Sequence, residues 1–418
     1  MSVAAPEAVR PEQTPEAGVR AFSWEAFLST YFPAMLLALG TGMALPAIPI
    51  LAKSFDVSFG LASFVITSFL IGGLVGSLPT GWLIDRIGRR PILIAGPLMT
   101  AVVALLVLTA QTFPQLLVYR FIDGWAAQMW LLARLAGISQ RAGANQRGRQ
   151  VSWMYGMDSV GRLSGPLVGG FIAAAWGPRS PFAGYALLAL AALIPSIIFN
   201  RQDASQQARK VAEESSGPRP TIPQIVLPRL PFFGVALFSA IARGPIFAGM
   251  LHLYAAFAYD LEAQTIGVLA TTASAITLPI GFTAGYMMDR FGRKMTMVPG
   301  FSGVAVTMLL LAATAFMHVP FVWYVPAFLL AVTAQGLTGS SVQTVGADVA
   351  PPNARGTFLG LWRFTAQIGT SLSPIVFAFL ADKSGYGYSF IFISLAAFVV
   401  AYLLVVHIPE TSRQPVPA

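Results

Sequence analysis

Charge is what this sequence has least of. Asp, Glu, Lys and Arg make up 10% of its 418 residues, against roughly 25% in a soluble domain. That is too little polar surface for a water-exposed globule. The few charges are also clustered: residues 27–52, 57–84, 91–119, 180–200, 263–288, 295–347 and 384–409 contain none of the four. A helix needs about 20 apolar residues to cross roughly 30 Å of hydrocarbon. Each run is long enough for one crossing, and 295–347 for two. Cysteine is absent, which excludes disulfides, a thiolate nucleophile and a cysteine-ligated metal. Histidine occurs three times at separated positions. That argues against a metal cluster or a nucleophile–base pair, and so against a membrane-embedded enzyme.

What is present is an all-α polytopic membrane protein. The expected spans are 27–51, 58–82, 91–110, 113–134, 151–175, 180–199, 231–256, 265–287, 295–316, 321–343, 357–381 and 388–407. Twelve crossings put both termini on one side of the bilayer. Most of the 26 Lys and Arg residues then fall on that side, with only Lys53, Arg179 and Lys383 in the opposite loops. Positive loops are retained in the cytoplasm, so both termini are expected there, in a cytoplasmic (inner) membrane. The net charge of +9 follows from this orientation and implies no nucleic-acid partner. Residues 1–23, rich in Pro, Ala and Glu and without an apolar centre, read as a disordered tail rather than a signal peptide. The expected layout is a six-helix half over 24–199, a polar cytoplasmic loop over 200–230, a second half over 231–408, and a tail over 409–418.

The halves repeat a short charged device. GWLIDRIGRR (81–90) begins at the end of the second expected span, and GYMMDRFGRK (285–294) at the end of the eighth. Each copy gives a glycine, an acid, a positive pair and a second glycine: Gly81, Asp85, Arg86, Gly88, Arg89 and Arg90, then Gly285, Asp289, Arg290, Gly292, Arg293 and Lys294. Gly81 and Gly285 are read as points where a neighbouring backbone comes close. Asp85 and Asp289 are read as facing the positive N-terminus of a neighbouring helix. Arg147-Gly148 matches Arg355-Gly356, and Gly161 and Pro166 match Gly369 and Pro374. Duplicated six-helix units are a plan of secondary transporters.

These motifs and the twelve-span layout resemble the major facilitator superfamily over residues 24–411. The resemblance implies two pseudo-symmetric halves that rock about a central site. The charged motif would be a cytoplasmic gate latch. In the family the motif's later Arg pairs with an acid seven residues ahead of an Arg-Gly; here that acid is Asp348 in the second half, but Gln140 in the first. Span five carries Gly156, Gly161, Gly165, Pro166, Gly169 and Gly170, similar to the antiporter motif of the family's drug and metabolite exporters. Arg120 stands in an R-x-x-x-G pattern that the family associates with proton coupling. The ending IPET (408–411) resembles that of sugar-porter relatives.

Ionisable residues within spans are costly and mark functional sites. Here they are Arg120, Asp123 and Arg134 in span four, Asp158 and Arg162 in span five, Arg243 and His252 in span seven, and Arg363 in span eleven. Spans three, six, nine and twelve, which the resemblance makes peripheral, carry none in their interiors. Asp158, Asp123 and Arg120 are the proton-coupling candidates. Arg162, Arg243, Arg363, His252, Trp153 and Tyr155 are the cavity candidates. Asp158 and Arg162, four apart, share a helix face, and Arg162 and Arg243 are expected to approach the midplane from opposite halves. Trp125, Trp130 and Trp362 are further aromatic surface. Five arginines against two acids suit an amphipathic or anionic substrate, because guanidinium matches carboxylate and phosphate bidentately. The expected function is proton-coupled efflux by a functional monomer, with the proton gradient as its energy source and no metal or other cofactor. An importer or uniporter of an organic anion or sugar, and a lipid-flipping member of the superfamily, are the alternatives.

Overall fold

The computed structural model describes residues 27–141, 144–199, 222–338, 341–351, 355–408 and 410. In lipid every backbone N–H and C=O must be satisfied within the segment, and the described secondary structure is helical throughout. Spans one to six are Phe32–Lys53, led in by a short π-helical turn at Phe27–Tyr31, then Phe59–Ile87, Arg89–Leu108, Phe113–Arg141, Ala144–Trp176 and Ser180–Phe199. Span seven is two helices, Leu230–Phe247 and Met250–Ala258, and span eight is Ala263–Phe291. Span nine is Lys294–Phe316. Span ten is Phe321–Leu337 followed by Ser341–Val349. Spans eleven and twelve are Arg355–Ser384 and Tyr386–Val406.

Two departures from the expected boundaries have physical reasons, and a third falls in the expected loop. Span seven breaks at Gly249, whose φ of +84° is left-handed and ends the first helix. Spans four and five run on to Arg141 and back to Ala144, because the polar residues beyond the bilayer still favour helix. Within the expected loop 200–230, residues Ile222–Val226 are helical and Leu227–Arg229 form a 3-10 turn; the rest of it, 200–221, lies outside the described residues, as do the tails 1–23 and 411–418. Ten spans are apolar and long enough to cross a membrane by themselves. Spans four and five are long enough but more polar, and these two carry the paired charges.

Packing repeats between the halves. Spans one and five pack as seven and eleven do, two and four as eight and ten, and three and six as nine and twelve. The halves meet through span five against span eight and span two against span eleven, again a symmetric pair. The antiporter-like glycines make two of these contacts. Gly161, Gly165 and Gly169 lie one turn apart and face span one; a Cβ at Gly165 would stand 2.6 Å from the Leu39 carbonyl oxygen and 2.7 Å from the Gly42 Cα. Gly170 and the Pro166 carbonyl instead face Ala263 and Gly267 of span eight. Small residues let backbones approach this closely in membranes.

Candidate functional site

Both charged motifs lie at one end of the bundle, the motif end. Turns 54–58, 177–179, 259–262 and 385 lie at the other, the far end. The halves are tied together at the far end. Lys53 of span one forms an ion pair with Asp260 between spans seven and eight. Asp382 of span eleven accepts hydrogen bonds from Ser58 Oγ at 2.7 Å and the Gly60 amide at 2.8 Å. Ser58 also caps span two by accepting from the Leu61 amide. Beneath these, the Phe59 ring of the first half meets Phe257, Phe377 and Tyr386 of the second, with centroids 5.7, 6.1 and 5.0 Å away. None of these far-end residues was singled out from the sequence; Lys53 and Lys383 were noted only as exceptions to the charge bias.

The motif end differs. Gly81 and Gly285, read from the sequence as sites of close backbone approach, have no atom of the described residues packed within 4 Å of where a Cβ would stand, and Gly156 is equally bare. That reading does not hold in this conformation: among the described residues nothing covers these helix faces. Asp85 is exposed, and no described helix N-terminus receives it. The side chains of Asp289, Gln140, Arg147 and Arg355 lie outside the described residues.

The motif's other parts are positioned. Gly88 and Gly292 adopt φ of +86° and +96°, a conformation that disfavours any side chain, and each joins two helices across one tight turn. Arg89 is buried with its guanidinium against Gly137 of span four. Arg86 lies over the Trp82 ring, and Arg290 bonds the Tyr286 hydroxyl at 2.7 Å. Arg293 Nε lies 3.2 Å from Asp348 Oδ2. Glu410 of the IPET ending accepts from the Arg293 and Lys294 amides at 2.8 and 3.1 Å, so it caps span nine; that role was not read from the sequence.

Within the first half the ionisable residues form two clusters. In one, Arg120 Nη1 donates to Asp123 Oδ2 at 2.5 Å, and the Tyr185 hydroxyl donates to Asp123 Oδ1 at 3.3 Å. Thr41 of span one bonds the same hydroxyl at 3.2 Å, and the Arg120 guanidinium lies over Phe69 at 4.6 Å. Gly124, the glycine of R-x-x-x-G, lets span four cross the Phe69 carbonyl of span two. The Arg120 and Asp123 side chains are 6% and 5% exposed, so this cluster is sealed.

The second cluster is open. Arg162 Nε meets Asp158 Oδ2 at 2.9 Å, with side chains 60% and 15% exposed. Tyr155, one turn before Asp158, is half-exposed. Arg134 of span four lies close enough to Asp158 and Tyr155 to feel both electrostatically.

Arg243 stacks on Phe247 of its own span at 5.0 Å. His252 is buried edge-on to Phe328. Arg363 and Trp153 are exposed. Trp362 is core, packed on Phe233 and Phe358.

Comparison with known proteins agrees with this architecture. The sequence profile described as Major Facilitator Superfamily matches residues 30–262 and again 232–418. The chain belongs to the Major Facilitator Superfamily. It is 24% identical over 358 residues to the class B tetracycline resistance protein of Escherichia coli, covering 84% of this chain and 87% of that one. Identity to the class H tetracycline resistance protein of Pasteurella multocida is also 24%, over 356 residues, with the same coverage. The quinolone resistance protein NorA of Staphylococcus aureus is 26% identical over 168 residues, 40% of this chain and 43% of that one. A solved D-xylose-proton symporter superposes with a TM-score of 0.73 at 17% identity, over 92% of this chain and 98% of that one. At that identity the likeness speaks to the fold. The protein is a multi-pass transporter of this superfamily, a class that acts on small molecules within the membrane.

Proposed function

We propose that the protein is a proton-coupled exporter of small organic molecules, working by alternating access between two halves, with the motif end in the cytoplasm. The observation that carries this reading is the contrast between the two acid–base pairs. Both acids lie on helices of the bundle interior, but Asp123 already spends its oxygens on Arg120 and Tyr185. Asp158 has one partner, at the edge of an open face. A carboxylate that carries protons must be reached and released once per cycle, and Asp158 satisfies both conditions. Arg162 holds its carboxylate in place until a ligand or a proton breaks the pair.

A proton and a hydrogen-bond donor on the cargo compete for the Asp158 oxygens, which is the competition that exchange requires. The far-end contacts and the bare glycines at the motif end fit a conformation that loads from the motif side. The resistance proteins among its relatives support the export direction.

The test is proton movement on ligand addition, with purified protein in detergent and a panel of organic anions, cations and neutral amphipaths. Proton release on binding of a cargo that brings a hydrogen-bond donor to Asp158, lost in Asp158→Asn and kept in a properly folded Asp123→Asn, is the expected result. Proton uptake instead would mean that cargo and proton travel together, and would overturn the export reading.

A further inference from the structure

Arg134 has no role in the reading above, yet its surroundings are unusual. Its residue is 4% exposed. Its guanidinium is stacked on the Trp130 indole at 3.7 Å, which fixes the plane of the fork. Nε and Nη1 are buried and, among the described residues, have no hydrogen-bond partner. A buried guanidinium is normally paired, because an unmatched buried charge is expensive. Asp158 is an acid that acts on it electrostatically, but Asp158 accepts its hydrogen bond from Arg162. One carboxylate thus stands against two guanidinia, bonded to one and only felt by the other, with one positive charge left over. Arg162 adds donors from the other side, since only its Nε is committed and most of its side chain is exposed. Tyr155 brings a hydroxyl to the same face.

We propose that Arg134 and Arg162 form an oxyanion-binding subsite around Asp158, for the carboxylate or phosphate group of the cargo. Direction along the helices supports convergence. Side chains tilt toward the N-terminus of their own helix, and spans four and five run antiparallel, so Arg134 and Asp158 lean toward each other. The leftover charge is neutralised by one monoanion. Guanidinium forks match carboxylate and phosphate geometry, and such charge-assisted bonds are the strong ones. Trp130 and Tyr155 supply the flat surface for an aromatic body next to the anion.

The role of this anion as cargo rests on the transport reading; its binding does not. The experiment titrates the full-length protein in detergent with benzoate and with phenyl phosphate, up to about 10 mM, by calorimetry and by tryptophan fluorescence, with tetraphenylphosphonium as the cationic comparison. Both anions are expected to bind and to change the emission of Trp130. Removing one charged donor is expected to weaken them by about tenfold or more in Arg134→Gln and in Arg162→Gln, while cation binding is unchanged or tighter. Arg162 is exposed, so its variant keeps the result interpretable if Arg134→Gln unfolds. Arg134→Lys keeps the charge without the fork, and an intermediate loss is expected.

Absence of anion binding to the wild type, or anion binding indifferent to both arginines, overturns the subsite. If a cation or neutral compound still drives proton release in that case, the exporter reading stands without it. Anion binding that depends on both arginines, with no compound of the panel moving a proton, supports the subsite and removes the proposed coupling.

Discussion

The Asp382 carboxylate of span eleven sits on the N-terminus of span two, 2.8 Å from the Gly60 amide. A negative charge there meets both a free amide donor and the positive end of the helix. Gly60 leaves room for this contact, since a Cβ would overlap the carboxylate and push it aside. The contact also sets a register. Spans two and eleven run antiparallel, and equal steps along both from Gly60 and Asp382 bring Gly81 level with Leu361, beside Gly360. Both glycines are bare here. The same count from Gly170 and Gly267 brings Gly156 level with Gly281, near Gly285, and these are bare too. The two inter-half seams thus carry small residues at both ends, with only the far ends zipped.

A first prediction uses the absence of cysteine. Cysteines placed at Gly81 and Gly360 are expected to cross-link only when the motif end closes. Asp382→Asn weakens the far-end contact and is expected to raise the cross-linking rate several-fold. Gel mobility after mild oxidation reads this directly. Unchanged cross-linking in that variant would mean the Asp382 contact does not hold the far end shut.

A second prediction separates two glycines of one motif. Gly165→Ala places a methyl 2.6 Å from the Leu39 carbonyl oxygen, and overpacking of this kind costs about 1–3 kcal/mol. Gly156→Ala meets nothing and is expected to leave thermal stability unchanged in detergent while slowing transport, because its face is needed only when the motif end closes. Equal melting losses in both variants would contradict the assignment.

The span count, the two halves and the pairing of Asp158 with Arg162 were legible in the sequence because each follows from local spacing: apolar run length, motif repetition, and an i,i+4 step. The far-end closure was not. Asp382 and Ser58 lie far apart in the chain, and a single Asp beside a lysine at a helix end carries no local mark of its partner. The misreading of Gly81 has a related cause. A glycine in a helix announces room for a neighbour, but an alternating-access protein fills that room in only part of its cycle. Arg134 was legible as a charge within a span, while its lack of partners depended on where Asp158 turned.

A third prediction concerns pH at the far end. Lys53 holds the Asp260 carboxyl below the usual carboxylate range, by hydrogen bond and by charge. Its pKa is lowered only where the pair forms, so the pair favours far-end closure above the ordinary value of 3.8 and loses that effect as pH falls through the lowered one. Closure is therefore expected to be flat across neutral pH and to weaken only below about pH 4. Asp260 is fully exposed, so salt is expected to erode the contribution. Cysteine accessibility at Val57 as a function of external pH, with and without Asp260→Asn, checks it; a transition near neutrality would exclude this pair as its origin.

The last prediction divides the two acids by the kind of damage their loss does. Asp123→Asn leaves Arg120 buried without a counter-charge, and breaking a buried pair in this way costs about 3–5 kcal/mol. Asp158→Asn breaks a pair with Arg162, which is mostly solvent-exposed, where a pair is worth about 1 kcal/mol or less, and it takes no hydrogen bond from the buried Arg134, whose Nε and Nη1 are already unpaired among the described residues. The expected pattern is a large fall in melting temperature for Asp123→Asn and a small one for Asp158→Asn, with proton coupling lost in the second despite its intact fold. Thermal unfolding in detergent and ligand-induced proton release on the same samples give both readings. If Asp158→Asn melts early while Asp123→Asn is stable and uncoupled, the roles are reversed: the sealed pair would be the proton site, opened once per cycle, and the open pair a structural clamp.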